Sequence, residues 1–130
     1  MLASSSNGGS AAAVRPRPFA VGVQRRNGVV IVEPHGELDL ATVETLRGAL
    51  DGIEDALRVV LDLRGLSFLD STGLHLMVAL DERAQRDGFQ LTIVAPAAPV
   101  DKAIRVSGLD RALPFAAADD AAAGESSESS

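Results

Sequence analysis

The chain has 130 residues, the length of one domain, and its 12 Lys+Arg against 18 Asp+Glu give a net charge of -6. This balance argues against nucleic-acid binding, because phosphates are bound by clustered positive charge. Without cysteine, and with only two histidines, the chain has no disulfides or thiol chemistry, and we expect no metal site and no cofactor. Since it shows no membrane-spanning apolar run and no signal peptide, we expect a cytoplasmic protein without membrane insertion.

Composition divides the chain into three parts. Residues 1–18 are dominated by Ser, Gly, Ala and Pro, and residues 116–130 form an acidic tail of Ala, Ser, Asp and Glu. Both ends are predicted to be disordered, because they have too little apolar surface to offset the entropy lost on ordering. Residues 19–115 are densely patterned and are predicted to form one domain.

The domain is predicted to open with a β-hairpin. Apolar residues alternate from Phe19 to Val23, which is typical of a strand with one buried face. Asn27-Gly28 follows, and this dipeptide tolerates the positive φ angles of a tight hairpin turn. A second strand then begins at Val29, and we expect Pro34 and Gly36 to break it.

A change of period predicts the first helix, beginning near Thr42. Five apolar residues then recur at spacings of three and four and share one helical face: Val43, Leu46, Leu50, Ile53 and Leu57. Residues 59–63 form a β-branched apolar run that predicts a strand buried on both faces. Asp62 lies in this run, and we expect backbone N–H groups of the next loop to satisfy it. Residues 66–70 are predicted to form a loop.

The second half repeats the alternation of helix and strand. A helix is predicted from Ser71 to Asp87, with Gly88 at its end, and a strand at residues 89–94. A third helix begins at Pro99-Val100, with Ala103, Ile104 and Ser107 toward the core, and ends at Gly108; a short last strand follows at residues 113–115. The predicted class is α/β, a single domain of order β-β-α-β-α-β-α-(β) with a mixed sheet and helices mainly on one face.

Two stretches carry a resemblance to a known family. Residues 36–42 read GELDLAT, and residues 60–74 read VLDLRGLSFLDSTGL. The first resembles the loop after the second strand of STAS domains, which are named for sulphate transporters and anti-sigma factor antagonists. The second resembles the central strand of that family and its Asp-Ser-Thr/Ser-Gly-Leu turn into a helix. The resemblance covers about three quarters of the chain and implies a STAS-like fold.

In the bacterial members of the soluble antagonist type, the serine after that Asp is phosphorylated. The resemblance therefore implies that Ser71 is the phosphorylation site. It implies as partner an anti-sigma factor with serine kinase activity, which the unmodified protein binds and from which it releases the sigma factor. The resemblance also implies that phosphorylation breaks this complex and that a serine phosphatase reverses the modification.

Seven residues are predicted to bind the partner: Asp39, Asp70, Ser71, Thr72, Gly73, Leu74 and Val78. Most of them have a structural alternative. Ser71 or Thr72 would serve equally as the helix N-cap, and Asp39 as the cap of the preceding helix. Gly73 is expected where packing is close.

The helix after Ser71 has a broad apolar stripe. We expect Leu76 and Leu80 to lie in the core, whereas Leu74 and Val78 are candidates for an exposed docking edge. His75 lies between them and is predicted to be a surface residue rather than a ligand.

Two other classes of function deserve comparison. A hydrolase with Ser71 as nucleophile is disfavoured, because no Gly-x-Ser-x-Gly elbow and no orienting group for His75 is evident, so no catalytic residue is predicted. An NTPase is also disfavoured, because the sequence has no Gly-x-x-x-x-Gly-Lys phosphate-binding loop. The remaining alternative is a non-switching STAS module of a lipid-transport or stress-sensing complex.

Overall fold

The computed structural model describes residues 18–116, which contain six strands and four helices in the order β-β-α-β-β-α-β-α-α-β. The strands are β1 (Ala20–Arg26), β2 (Val29–Leu38), β3 (Arg58–Asp62), β4 (Leu66–Leu69), β5 (Gln90–Val94) and β6 (Phe115–Ala116). The helices are α1 (Val43–Asp51), α2 (Ser71–Asp87), α3 (Lys102–Ser107) and α4 (Leu109–Ala112). Apart from Pro18 and Ala116, the two ends predicted to be disordered lie outside the described residues.

The strands form one mixed sheet in the order β1-β2-β3-β5-β6. β1 is antiparallel to β2, as the hairpin prediction requires, and the turn places Asn27 and Gly28 at φ 53° and 81°. β2, β3, β5 and β6 run parallel to one another. β4 pairs with the end of β2, beyond the part of β2 that pairs with β3.

The helices pack on one face of the sheet, as predicted. The main core joins alternate strand residues such as Val30, Leu61 and Ile93 to apolar residues of α1, α2 and α3. The other face carries a smaller cluster in which only strand residues take part, namely Val29, Val60, Val94 and the half-buried Ile31. No helix within residues 18–116 has both the length and the apolar character needed to cross a membrane.

Two predictions about the middle of the chain are wrong. β2 runs through Pro34 and Gly36 instead of breaking there. Proline has no N–H to donate to a neighbouring strand. Pro34 is tolerated because β2 pairs with β3 only as far as Val32 and with β4 only from Gly36, so no parallel partner lies opposite Pro34. Gly36 takes φ +107°, and a register shift follows it. Residues 66–69 form β4 rather than a loop, because this segment adds to the far end of β2.

The first helix is shorter than its apolar pattern predicts. α1 ends at Asp51, so Leu57 lies outside it and is 73% exposed, although Ile53 is buried. Arg83 of α2 reaches the end of α1 and donates hydrogen bonds to the carbonyls of Leu50 and Ile53 at 2.7 and 2.9 Å. These bonds join α2 to the end of α1, where the Leu50 carbonyl also accepts from the Ile53 N–H at 3.2 Å.

The predicted bounds of α2 are confirmed, including Gly88 in the left-handed conformation at its end. The third helix begins at Lys102, later than predicted; its Ile104 is buried, but Ser107 is exposed. A further short helix follows, and the last strand starts at Phe115.

Candidate partner-binding site

Two loops meet at one end of the sheet because β2 and β4 are parallel. Leu38 at the end of β2 is in register with Leu69 at the end of β4. The chain continues from Leu38 into the loop of residues 39–42 and from Leu69 into α2. The two loops therefore share one end of the sheet, which brings Asp39 to the same end as the start of α2.

Asp70 is the N-cap of α2. Its backbone is extended, with φ -122° and ψ -171°, and its carboxylate accepts a hydrogen bond from the Thr72 N–H at 3.0 Å. The suggestion that Ser71 or Thr72 caps the helix is therefore wrong, because both already lie within its first turn. Ser71 is the first helical residue, and its side chain is exposed. The cap is thus supplied by one residue and the exposed hydroxyl by the next.

Gly73 lets the first turn of α2 sit directly on the ends of the two strands. A Cβ atom at this position would lie 2.5 Å from Leu69 Cδ1 and 2.8 Å from Leu38 Cδ2, and both leucines are buried. The expectation of close packing at Gly73 is confirmed. Because this contact leaves little room for α2 to shift, it holds Ser71 in a defined place above the strand ends.

The loop of residues 39–42 is ordered by its own polar groups. Asp39 Oδ1 accepts hydrogen bonds from the N–H groups of Ala41 and Thr42 at 3.0 and 3.2 Å. The Thr42 hydroxyl donates to the Glu37 carbonyl at 2.6 Å and accepts from the Asp39 N–H at 3.0 Å. Asp39 thus satisfies N–H groups just ahead of α1, but it is not the cap of that helix, because the N-cap position is Thr42.

Two exposed apolar residues near this site were missed by the sequence reasoning. Leu40, within the ordered loop, is 78% exposed, and Phe68 of β4, next to Leu69, is 45% exposed. The signal for Leu40 was an apolar residue between Asp39 and Ala41 in a stretch otherwise interpreted as a loop. The same signal was available for Phe68, an apolar residue within residues 66–70, which were also predicted to form a loop.

The apolar stripe of α2 faces the core more completely than expected. Leu76 and Leu80 are buried, as predicted. Leu74 is only 8% exposed and belongs to the main core, so its assignment to an exposed docking edge is wrong. Leu74 belongs to the same buried cluster as Leu69, because the first turn of α2 packs closely on the strand ends at Gly73. Val78 is half-buried against the core, and His75 is exposed, as predicted for a surface residue.

Asp62 is a buried carboxylate with a structural role. It accepts hydrogen bonds from the Arg64 N–H at 3.1 Å and from the Arg64 guanidinium at 3.0 and 2.7 Å. The expected backbone N–H is therefore present, and the guanidinium is an addition. Burial acts to raise the pKa of Asp62, but the hydrogen bonds and the charge of Arg64 outweigh it and hold the pKa below its ordinary value.

The site has no ready place for a metal ion. Across residues 18–116 there is no group of three or more His, Asp and Glu side chains arranged to hold one. The arrangement instead offers an exposed hydroxyl on a helix start, an ordered acidic loop and two exposed apolar side chains. These are features of a surface that another protein can bind and that a covalent modification can change.

Known proteins share this sequence and architecture. The STAS domain model matches residues 20–122. The anti-sigma-F factor antagonist RsfB of Mycobacterium tuberculosis is 30% identical over 98 residues, which are 74% of this chain and 80% of that protein. An anti-sigma F factor antagonist of Paenibacillus polymyxa is 28% identical over 96 residues, 72% of this chain and 82% of its own length.

Solved structures agree with this assignment. The crystal structure of an anti-sigma factor antagonist from Mycobacterium paratuberculosis superposes with a TM-score of 0.73 at 27% identity, covering 82% of this chain and 93% of the other. The anti-sigma factor antagonist SpoIIAA in its unphosphorylated form has a TM-score of 0.69 at 21% identity, over 85% and 98% of the two chains, and supports the fold. From its sequence match and its architecture, the chain belongs to the STAS domain family.

Proposed function

We propose that this chain is an anti-sigma factor antagonist. In its unphosphorylated form it binds an anti-sigma factor that is also a serine kinase, and this binding releases the sigma factor. Phosphorylation at Ser71 ends the binding, and a serine phosphatase restores it. The chain is then a binding partner and a substrate rather than a catalyst, and it acts in the cytoplasm. The names of its relatives in two bacterial genera support this proposal.

The observation that carries the proposal is the exposed hydroxyl of Ser71 beside a separate helix cap. Because Asp70 accepts from the Thr72 N–H, capping α2 does not require the Ser71 hydroxyl. A kinase can therefore modify this hydroxyl without removing the cap. Free N–H groups and the positive end of the helix dipole also favour a phosphate at this position over one placed elsewhere on the surface.

The partner surface extends from Ser71 to the neighbouring loop. Asp39 follows β2 as Asp70 follows β4, so the two acidic residues and Ser71 share one end of the sheet. Leu40 offers an exposed apolar side chain on a loop held by internal hydrogen bonds, so little ordering entropy is lost when it is buried. Thr72 and Val78 lie on the same helix, whereas the buried Leu74 supports the surface from beneath.

Phosphorylation changes the charge of this surface rather than the fold. A phosphate adds about -1.5 to -2 charges at neutral pH. On Ser71 it would arise beside the carboxylate of Asp70 and at the same end of the sheet as Asp39. Burying that charge against a partner costs desolvation energy and adds repulsion, whereas the exposed site lets the domain itself accommodate the group.

The proposal is tested by pull-down from a lysate of the source cells with ATP. The baits are the full chain, Ser71→Ala, Ser71→Asp and Ser67→Asp, with intact-mass analysis of the wild-type bait. Ser67→Asp is the control, since it adds the same charge at another exposed serine on β4. We expect wild type, Ser71→Ala and Ser67→Asp to capture an ATP-binding anti-sigma factor. Ser71→Asp should capture at least tenfold less of this protein than wild type does.

Phosphate mapping completes the test. One phosphate is expected on wild type, located at Ser71, and none on Ser71→Ala. If no phosphate forms and all four baits capture the same proteins, the switch is wrong for this chain. In that case a captured membrane transporter or stress-sensing complex would identify it as a non-switching STAS module.

A further inference from the structure

Ser71 and His75 lie on the same exposed face of α2, one helical turn apart. Both side chains are exposed, and the spacing is four residues. Side chains at this spacing have Cβ atoms about 5 to 6 Å apart. Helical side chains also lean toward the N-terminus of their helix, so the His75 ring covers the turn that contains Ser71. A group larger than a hydroxyl on Ser71 would therefore come within reach of the imidazole.

His75 is the first basic residue of α2, and the next one, Arg83, lies two turns further on and holds carbonyls at the end of α1. At the start of the helix, the carboxylate of Asp70 already accepts from the Thr72 N–H. Asp39, in the adjoining loop, accepts from the N–H groups of Ala41 and Thr42.

The elements packed against α2 bring few competing charges. In α1, Glu44 pairs with Arg47 at 3.1 Å. Arg47 and Asp51 line a groove with Ala79 and Arg83, further along α2 than His75. β4 and β5, which also pack against α2, contain no Asp, Glu, His, Lys or Arg. Among the basic residues of α2, β4 and β5, His75 is therefore the nearest in sequence to Ser71.

We propose that His75 is the phosphate-binding residue of the phosphorylated protein, with its imidazole N–H donating a hydrogen bond to a phosphate on Ser71. The inference rests on the proposed function in one respect, that Ser71 is the residue modified. The contact turns the phosphate back over α2 and away from the carboxylates of Asp70 and Asp39.

The experiment uses the full chain with phosphoserine inserted at position 71 during translation, so no kinase is needed. The second ionisation of the phosphate is followed by ³¹P NMR between pH 5 and pH 8 in wild type, His75→Gln, His75→Arg and His35→Gln. A hydrogen bond from His75 favours the doubly charged phosphate, so its titration midpoint should lie about 0.3 pH unit lower in wild type than in His75→Gln. His75→Arg should restore the lower midpoint, and His35→Gln, on β2, should leave the wild-type value unchanged.

Equal midpoints in wild type and His75→Gln would overturn the proposal, whatever the arginine variant shows. The position is exposed, so both variants should fold, and an amide fingerprint spectrum verifies this. The failure is distinct from that of the proposed function, because the phosphoserine is inserted directly: a kinase that ignores Ser71 would leave this ³¹P result unchanged.

Discussion

Asp62 and Asp70 have the same local hydrogen bond and different roles. Asp62 ends β3 and Asp70 follows β4, and each accepts with Oδ1 from the N–H two residues later, at 3.1 and 3.0 Å. Asp62 is 5% exposed and is joined by the Arg64 guanidinium, whereas Asp70 is half-buried and begins a helix. The same turn chemistry thus stabilises the core in one place and positions an exposed hydroxyl in the other.

The residues that come after each aspartate decide the outcome. After Asp62 the chain places Arg64 back onto the carboxylate and continues into β4. After Asp70 it continues into α2, whose first residue is Ser71. The aspartate turn alone does not make a site that a partner can reach. At Asp70 the turn is followed by a helix whose first residue, Ser71, is exposed.

Replacing Asp62 with alanine should have the largest effect on stability. The change removes three hydrogen bonds to a buried carboxylate, one of them from a backbone N–H, and we expect the free energy of unfolding to fall by about 2 to 3 kcal/mol. Urea unfolding at pH 7 measures it. A double-mutant cycle of Asp62→Ala and Arg64→Ala measures the contribution of the ion pair itself. The arginine side chain is half-exposed, so its own replacement leaves no large cavity.

The pH dependence sharpens this prediction. The pKa of Asp62 is lowered in the folded protein, so its contribution is complete at neutral pH and is lost as the pH falls through the folded pKa. The difference between wild type and Asp62→Ala should therefore shrink from pH 7 to about pH 3. A difference that stays constant over this range would show that the lost stability is not electrostatic.

Gly73→Ala should have the next largest effect on stability, and it tests the close packing of α2 on the ends of β2 and β4. The new methyl group would overlap the buried side chains of Leu69 and Leu38, and we expect a loss of about 1 to 2 kcal/mol after the gain in helix propensity. Gly48→Ala in α1 is the matched control, because a Cβ there has no neighbour within 4 Å. It should stabilise the protein by about 0.5 to 1 kcal/mol. Equal effects at the two glycines would contradict the close contact.

Asp70→Ala should have the smallest effect, about 1 kcal/mol, through loss of the N-cap. Thermal unfolding measures the loss, and Asp70→Asn is the control because asparagine caps about as well as aspartate. If Asp70→Ala costs as much as Asp62→Ala, the two aspartates do not differ in role as the structure indicates. A partner-binding assay on Asp70→Asn then separates the charge of Asp70 from its capping function.

Local patterns predicted the elements whose signals lie within a few residues. Asn27-Gly28 indicated the hairpin turn, and the apolar spacing with Gly88 indicated both ends of α2. Contacts distant in the sequence explain the failures. β4 exists because Leu66–Leu69 pairs with β2, some thirty residues earlier. α1 ends at Asp51, and Arg83, far along the chain, binds the Leu50 and Ile53 carbonyls at this end.

The candidate site shows the same division. The motif around Ser71 and its likeness to a known family identified the residue, but which neighbour caps the helix and which leucine is exposed depended on the fold. Asp70 and Ser71 are adjacent and both polar, so composition cannot assign their roles; backbone angles do. Leu74 and Leu40 are the same residue type, and packing against Leu69 buries one while the loop exposes the other.

The amino-acid sequence alone determined the α/β class, the hairpin and the extent of α2, because periodicity and turn residues act over short distances. Its two motifs resembled those of the family to which the chain belongs. Tertiary structure alone decided the parallel pairing of β2 with β4, and with it the meeting of the Asp39 loop and the start of α2. That pairing depends on register between distant segments, which no local pattern encodes. It is also the feature that places Leu40 and Ser71 at one end of the sheet.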